Sequence, residues 1–103
     1  MNEYIEIIHI NYRRAKEISK YDCSGADKAR RIIELYDNDR AKHIVHLADI
    51  PTVSLDTIIR LGGAMGNDCV ATRKQVLNTY GFTNVTIDDK ITLYSADFDL
   101  RFP

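Results

Sequence analysis

Three side chains of types that bind metal ions lie at helical spacing in the middle of the sequence. Asp39, His43 and His46 follow one another at intervals of four and three residues, which would place them on one stripe of a helix. Neutral imidazoles one turn apart can hold Zn²⁺, and a carboxylate can complete the set. The sequence contains neither HExxH nor CxxC. We therefore expect a solvated helix face without metal or other cofactor, and zinc at these three residues is the alternative.

The cysteines and histidines also allow a nucleophile pair in principle. Cys23 or Cys69 beside one of the three histidines would be such a pair. Any chain with this composition permits the same pairing, and neither a GxSxG motif nor a Walker loop is present. The sequence therefore predicts that the protein is not an enzyme.

A glycine cluster, Gly62-Gly63-Ala64-Met65-Gly66, is the third feature with possible chemistry. Between two predicted helices it resembles the phosphate clamp of helix-hairpin-helix proteins, where backbone amides meet phosphate at a helix N-terminus. Its glycines are one residue too far apart for that motif. A nucleotide-binding glycine loop needs a preceding strand. Because a helix is predicted there, we do not expect such a loop.

Length and charge limit the remaining possibilities. The 103 residues fit one domain, residues 1–103. The net charge is -1, with 14 basic and 15 acidic residues, so the basic surplus typical of nucleic-acid binding is missing. No apolar run reaches the roughly 18 residues of a membrane helix. Two cysteines fit a reducing compartment, so we expect the cytoplasm, including that of a host cell.

Helical periodicity is the main structural signal. Apolar and polar residues of segment 2–21 separate onto opposite arcs at 100° per residue. A strand here would place Glu6 on the same face as Ile8 and Ile10, so a helix is predicted. Further helices are predicted over residues 24–37, 40–49, 55–61 and 68–80.

The C-terminal part has strand character. Residues 84–87 and 91–94 are rich in β-branched residues and flank Asp88-Asp89-Lys90, which predicts a hairpin. The expected fold class is therefore α+β, mainly α-helical with about four or five helices and a C-terminal β-hairpin.

The predicted order helix, turn, helix and hairpin over residues 54–95 resembles a winged helix-turn-helix. That resemblance implies a DNA-binding regulator whose recognition helix runs from about Asp68 to Tyr80. Residues 50–103 contain five basic and six acidic residues, which opposes phosphate binding. The nucleic-acid-binding residues under this alternative are Thr72, Arg73, Lys74, Gln75, Asn78 and Lys90.

The C-terminal tail predicts a protein partner instead. Phe98, Leu100 and Phe102 alternate with polar residues, so in an extended segment they form one apolar side that closes the core or adds to a partner's sheet. Compact chains of this composition are similar to phage accessory proteins that inhibit host enzymes, anti-CRISPR proteins among them. The sequence therefore predicts a non-enzymatic inhibitor that binds a larger protein, with the DNA-binding regulator as the alternative. A homodimer fits both.

Overall fold

The computed structural model describes residues 2–98. In chain order the elements are β1 (Glu3–Ile8), α1 (Tyr12–Ile18), α2 (Gly25–Asp37), β2 (Ala41–Ile44), β3 (Ile58–Ala64), α3 (Cys69–Thr79), β4 (Val85–Leu93) and a 3-10 helix (Ser95–Phe98). The strands form one sheet in the order β2-β1-β3-β4, and every neighbouring pair is parallel. No helix within residues 2–98 is long and apolar enough to cross a membrane.

The expected fold class, α+β and mainly α-helical with four or five helices and a C-terminal hairpin, is wrong. The described residues form an α/β fold with three α-helices and a four-stranded parallel sheet. The predicted first helix is β1 followed by α1. Neither 40–49 nor 55–61 is helical: β2 lies within the first range, and β3 begins within the second. The predicted helices over residues 24–37 and 68–80 are confirmed as α2 and α3.

The expected hairpin is also absent from the described chain. Its two halves belong to one strand, β4, which runs parallel to β3. The register jumps, since Leu61 faces Ile87 while Gly63 faces Thr92. Asp88, Asp89 and Lys90 therefore form an insertion within the strand, where sequence patterning predicted a chain reversal.

Helices cover both faces of the sheet, so apolar residues of one strand can be buried on either side of it. Ile5 and Ile7 of β1 join a core with α1 and α2, whereas Ile8 joins a second core with α3. The segment between β2 and β3 also packs on the α3 side, through Leu47, Ile50 and Val53. The two βαβ units therefore place their helices on opposite faces.

A polar network fixes the 3-10 helix to the start of α2. The Asp97 carboxylate accepts hydrogen bonds from Lys28 Nζ and the Tyr94 backbone N–H, at 2.7 and 2.8 Å, and from Ser24 Oγ at 2.9 Å. Lys28 Nζ also donates to the carbonyl of Thr92 at 2.7 Å. Burial raises the pKa of the Asp97 carboxyl, but these hydrogen bonds lower it more, so its pKa lies below the usual value.

We expect Asp97→Asn to reduce the free energy of unfolding at neutral pH by about 1.5–3 kcal/mol, the range for hydrogen bonds to charged groups. Because the folded pKa is lowered, the carboxylate's contribution is present above the unfolded pKa, close to 3.8, and is lost as the pH falls through the folded pKa. Urea unfolding of both proteins at neutral and acid pH measures the effect. If the free energy of unfolding falls equally with decreasing pH in both proteins, the Asp97 carboxylate does not make this contribution.

Candidate functional site

The crevice between the carboxyl ends of β1 and β3 is the point where the sheet topology reverses. From β1 the chain crosses to β2 on one side, and from β3 it crosses to β4 on the other. Ile8 and Gly63 are register partners where these strands end. In open parallel sheets, ligands bind outside the carboxyl ends of the strands at such a reversal.

A glycine-containing loop forms one wall of this crevice. Gly63 has φ of 103°, and a Cβ there would collide with the backbone of Ile8. A Cβ on Gly66 would collide with the ring of Tyr94. Both positions therefore require glycine, because the end of β3 lies directly against β1 and the following loop lies against Tyr94, just after β4.

Between Gly66 and the first turn of α3, several backbone N–H groups lack an acceptor in the described part of the chain. The N–H groups of Asn67, Cys69 and Ala71 have no hydrogen-bond acceptor within the described part of the chain. Gly66, by contrast, donates to the carbonyl of Leu93 at 2.9 Å. The Asp68 side chain is exposed and makes no capping hydrogen bond. The loop thus offers both N–H donors and a free carboxylate.

His9 lies at the opposite wall, directly after β1. It has a left-handed backbone conformation, φ 63°, and its N–H donates to the carbonyl of Ile44 at 2.8 Å. Strained non-glycine residues are concentrated at functional sites. Burial lowers the pKa of the neighbouring His43 imidazole, and the proximity of His9 lowers it further. Two histidines therefore meet at this edge of the sheet.

Basic side chains follow on α1, which begins at the same edge. Asn11 accepts a hydrogen bond from the Arg14 N–H at 2.8 Å and so caps the helix. The first turn then carries Arg13 and Arg14 and no acidic residue. Both guanidinium groups lie near the single carboxylate of Glu17, at 3.7 and 3.1 Å. One positive charge is therefore left uncompensated in the first turn of α1.

The zinc site that the sequence offered as an alternative is not formed by Asp39, His43 and His46. Asp39 lies in the turn after α2, His43 in β2 and His46 in the following segment, because residues 40–49 are not helical. Among residues 2–98, no cluster of three or more His, Cys, Asp or Glu side chains could hold a metal ion. The pair that does form, His9 with His43, involves a histidine that helical spacing did not select.

Arg73, expected on an exposed recognition face, is buried. Its Nε and Nη2 donate to the two carboxylate oxygens of Glu6 at 2.7 and 2.8 Å. Its Nη1 donates to the carbonyls of Leu47 and Asp49, each at 2.6 Å. Arg73 and Glu6 are 1% and 0% exposed, so this guanidinium joins α3, β1 and the segment after β2, and it cannot reach DNA.

The other predicted nucleic-acid-binding residues do not share one surface. Thr72, Gln75 and Asn78 are exposed on α3, and Lys74 is half-buried there. Lys90 lies beside α2, against the opposite face of the sheet. The structure therefore separates Lys90 from the remaining set.

The predicted partner-binding residues at the tail are only partly described. Phe98 is half-buried and packs against the core formed with α1 and α2. It lies in the 3-10 helix, so the extended geometry assumed for it is wrong. Leu100 and Phe102 lie outside the described residues.

Sequence reasoning missed the crevice although it identified the glycines. It excluded a nucleotide-binding loop because no strand preceded Gly62, yet β3 does precede it and includes both Gly62 and Gly63. The available signal was the β-branched pair Ile58 and Ile59 shortly before a glycine cluster and a helix. Comparison with protein-family models, curated proteins and solved structures gave no match.

Proposed function

We propose that this protein is a non-enzymatic α/β module that binds a small phosphorylated molecule in the crevice between the carboxyl ends of β1 and β3. The observation that carries the proposal is the strand order β2-β1-β3-β4, with crossovers that leave β1 and β3 in opposite directions. Because the two connections leave in opposite directions, neither covers the space between the carboxyl ends of β1 and β3. Ligands of open parallel sheets bind at this kind of position.

The groups at the crevice favour a phosphoryl group. Open N–H donors at Asn67, Cys69 and Ala71 suit an oxyanion, and the glycines let it approach the backbone closely. The surplus positive charge in the first turn of α1, which begins at the same edge of the sheet, favours the approach of an anion to this edge. The exposed Asp68 carboxylate suits hydroxyl donors. A sugar phosphate or a mononucleotide combines both requirements.

Amide chemical shifts during titration with ribose 5-phosphate and with AMP test this proposal. We expect saturable shifts at Asn67, Cys69 and Ala71. Asn67→Asp adds a negative charge beside the phosphoryl group and should weaken binding about tenfold, since charges roughly 4 Å apart near a protein surface interact by about 1–4 kcal/mol. The same charge favours the N-terminus of α3, so the variant should not lose stability.

The matched control is Asn78→Asp, which makes the same exchange near the other end of α3. It should leave the affinity unchanged. The proposal is wrong if no saturable shift occurs at the three amides by about 10 mM ligand, which corresponds to binding weaker than about -3 kcal/mol.

The larger protein partner, the anti-CRISPR-like inhibition and the DNA-binding alternative stay predictions. With Phe98 packed on the core, a partner would find its apolar contact elsewhere on the described surface. Leu55 and Tyr80 are 54% and 58% exposed, and Leu55 lies against Gly81, the neighbour of Tyr80. This pair is the apolar surface that a protein partner would cover.

A further inference from the structure

A second concave surface lies beside the C-terminal half of α2, on the side of the sheet that this helix covers. We call it the basic cavity; it has a volume of about 260 Å³. Its lining combines four cationic side chains, two carboxylates, one amide and two apolar residues: Arg31, Arg40, Arg60, Lys90, Glu34, Asp88, Asn38, Leu35 and Ile91. The cations come from α2, the turn before β2, β3 and β4, so the fold itself brings them together.

Three carboxylates, those of Glu34 and Asp88 in the lining and of Glu3 beside it, lie among the four cations, so one positive charge is left over. Glu3 lies 3.3 Å from Arg40 and 4.0 Å from Arg60, and Asp88 lies 3.6 Å from Arg60. Arg31 and Lys90 make no side-chain hydrogen bond or ion pair with the described residues (2–98), and both are exposed. Two cationic side chains are therefore available at the rim.

Arg60 is incompletely bonded as well. Its Nε is buried and has no hydrogen-bond acceptor within residues 2–98. The nearest carboxylate oxygen, Asp88 Oδ2 at 3.6 Å, is beyond hydrogen-bonding distance. The other oxygen of Asp88 accepts from the Lys90 backbone N–H at 3.0 Å, which holds this carboxylate in the β4 insertion. Arg60 therefore has part of its donor capacity unused.

We propose that the basic cavity binds a phosphoryl group, at a site separate from the crevice between β1 and β3. Arg31 and Lys90 hold its oxygens from the rim, and Arg40 and Arg60 supply positive charge from the wall. Leu35 and Ile91 exclude water from one side, which strengthens the attraction. The volume is slightly below the range of about 300–1,000 Å³ for small-molecule pockets, so the ligand is inorganic phosphate, pyrophosphate or a small phosphate ester.

Calorimetric titration with pyrophosphate at constant ionic strength tests the proposal. The variants are Arg31→Ala and Lys90→Ala, which change exposed side chains and should leave the fold intact. Each substitution should weaken binding about tenfold, and the double variant more. Arg30→Ala is the matched control: Arg30 is the neighbour of Arg31 on α2, pairs with Asp27 and lies outside the cavity lining. It should retain the affinity of the unmodified protein.

Two further measurements complete the test: the affinity for citrate, and the amide chemical shifts that pyrophosphate causes. Citrate should bind more weakly than pyrophosphate, and pyrophosphate should shift the amides of residues 31, 60 and 90 whether or not Asn67 is replaced by Asp. The proposal is overturned if pyrophosphate does not bind saturably, if the Arg31→Ala/Lys90→Ala protein binds it as tightly as Arg30→Ala does, or if citrate binds equally well.

Discussion

Arg73→Met should reduce the free energy of unfolding by about 3–5 kcal/mol, the range for breaking a buried ion pair from one side. The substitution leaves the Glu6 carboxylate, 0% exposed, without its two guanidinium hydrogen bonds. It also removes the donor shared by the carbonyls of Leu47 and Asp49. Typical domains have only about 5–15 kcal/mol of stability, so urea denaturation should show a large shift in midpoint.

The neighbouring substitution Lys74→Met is the control for Arg73→Met. Lys74 makes no hydrogen bond or ion pair through its side chain in the described region, so its loss should stay within about 0.5 kcal/mol. Replacing both partners, Glu6→Leu with Arg73→Met, should recover part of the lost stability, because an apolar pair leaves no buried charge. A double variant less stable than Arg73→Met would contradict this account of the pair.

The Glu6–Arg73 pair also explains why β1 was not recognised from the sequence. The strand interpretation was rejected because it placed Glu6 on the same face as Ile8. That face is indeed buried, and Glu6 is tolerated there because a residue 67 positions later neutralises it. A partner so distant in sequence leaves no local signal, so alternation rules applied to residues 2–10 alone gave the wrong element.

The strands β2 and β3 were missed for a related reason. The strand β2 is a four-residue edge strand with no buried side chain, so it has no apolar pattern to recognise. In β3, the short segment Ile58–Leu61 has apolar residues at three of four positions, which fits a helix or a buried strand equally by periodicity. The helices α2 and α3 were predictable, because each is flanked by capping or glycine residues and is longer than such a run.

The candidate site was predictable only in its parts. The cluster Gly62–Gly66 and the charged residues at Arg13 and Arg14 are visible in the sequence. Their common location depends on β1 and β3 being adjacent and parallel, which is a property of the sheet order. The same holds for the basic cavity, where Arg31 and Lys90 are far apart in sequence and become neighbours through α2 and β4.

Gly63→Ala should prevent folding or reduce the free energy of unfolding by more than about 4 kcal/mol, a loss exceptional for one substitution. Two effects combine at this position. The backbone has φ of 103°, which L-residues rarely adopt, and the new Cβ would meet the backbone nitrogen and oxygen of Ile8. Neither strand can move aside easily, because β1 and β3 are the two central strands of the sheet. Circular dichroism and urea denaturation measure the outcome.

Gly81→Ala separates these two effects. Gly81 has nearly the same φ, 101°, but the nearest atom to an added Cβ is Leu55 Cδ1 at 3.3 Å, the end of an exposed side chain that can rotate away. Only the backbone strain remains, so the loss should be about 1–2 kcal/mol. Equal losses in the two variants would mean that conformation alone requires glycine at Gly63. The ends of β1 and β3 would then be able to move apart to accommodate a Cβ, and the width of the crevice would not be fixed by the sheet.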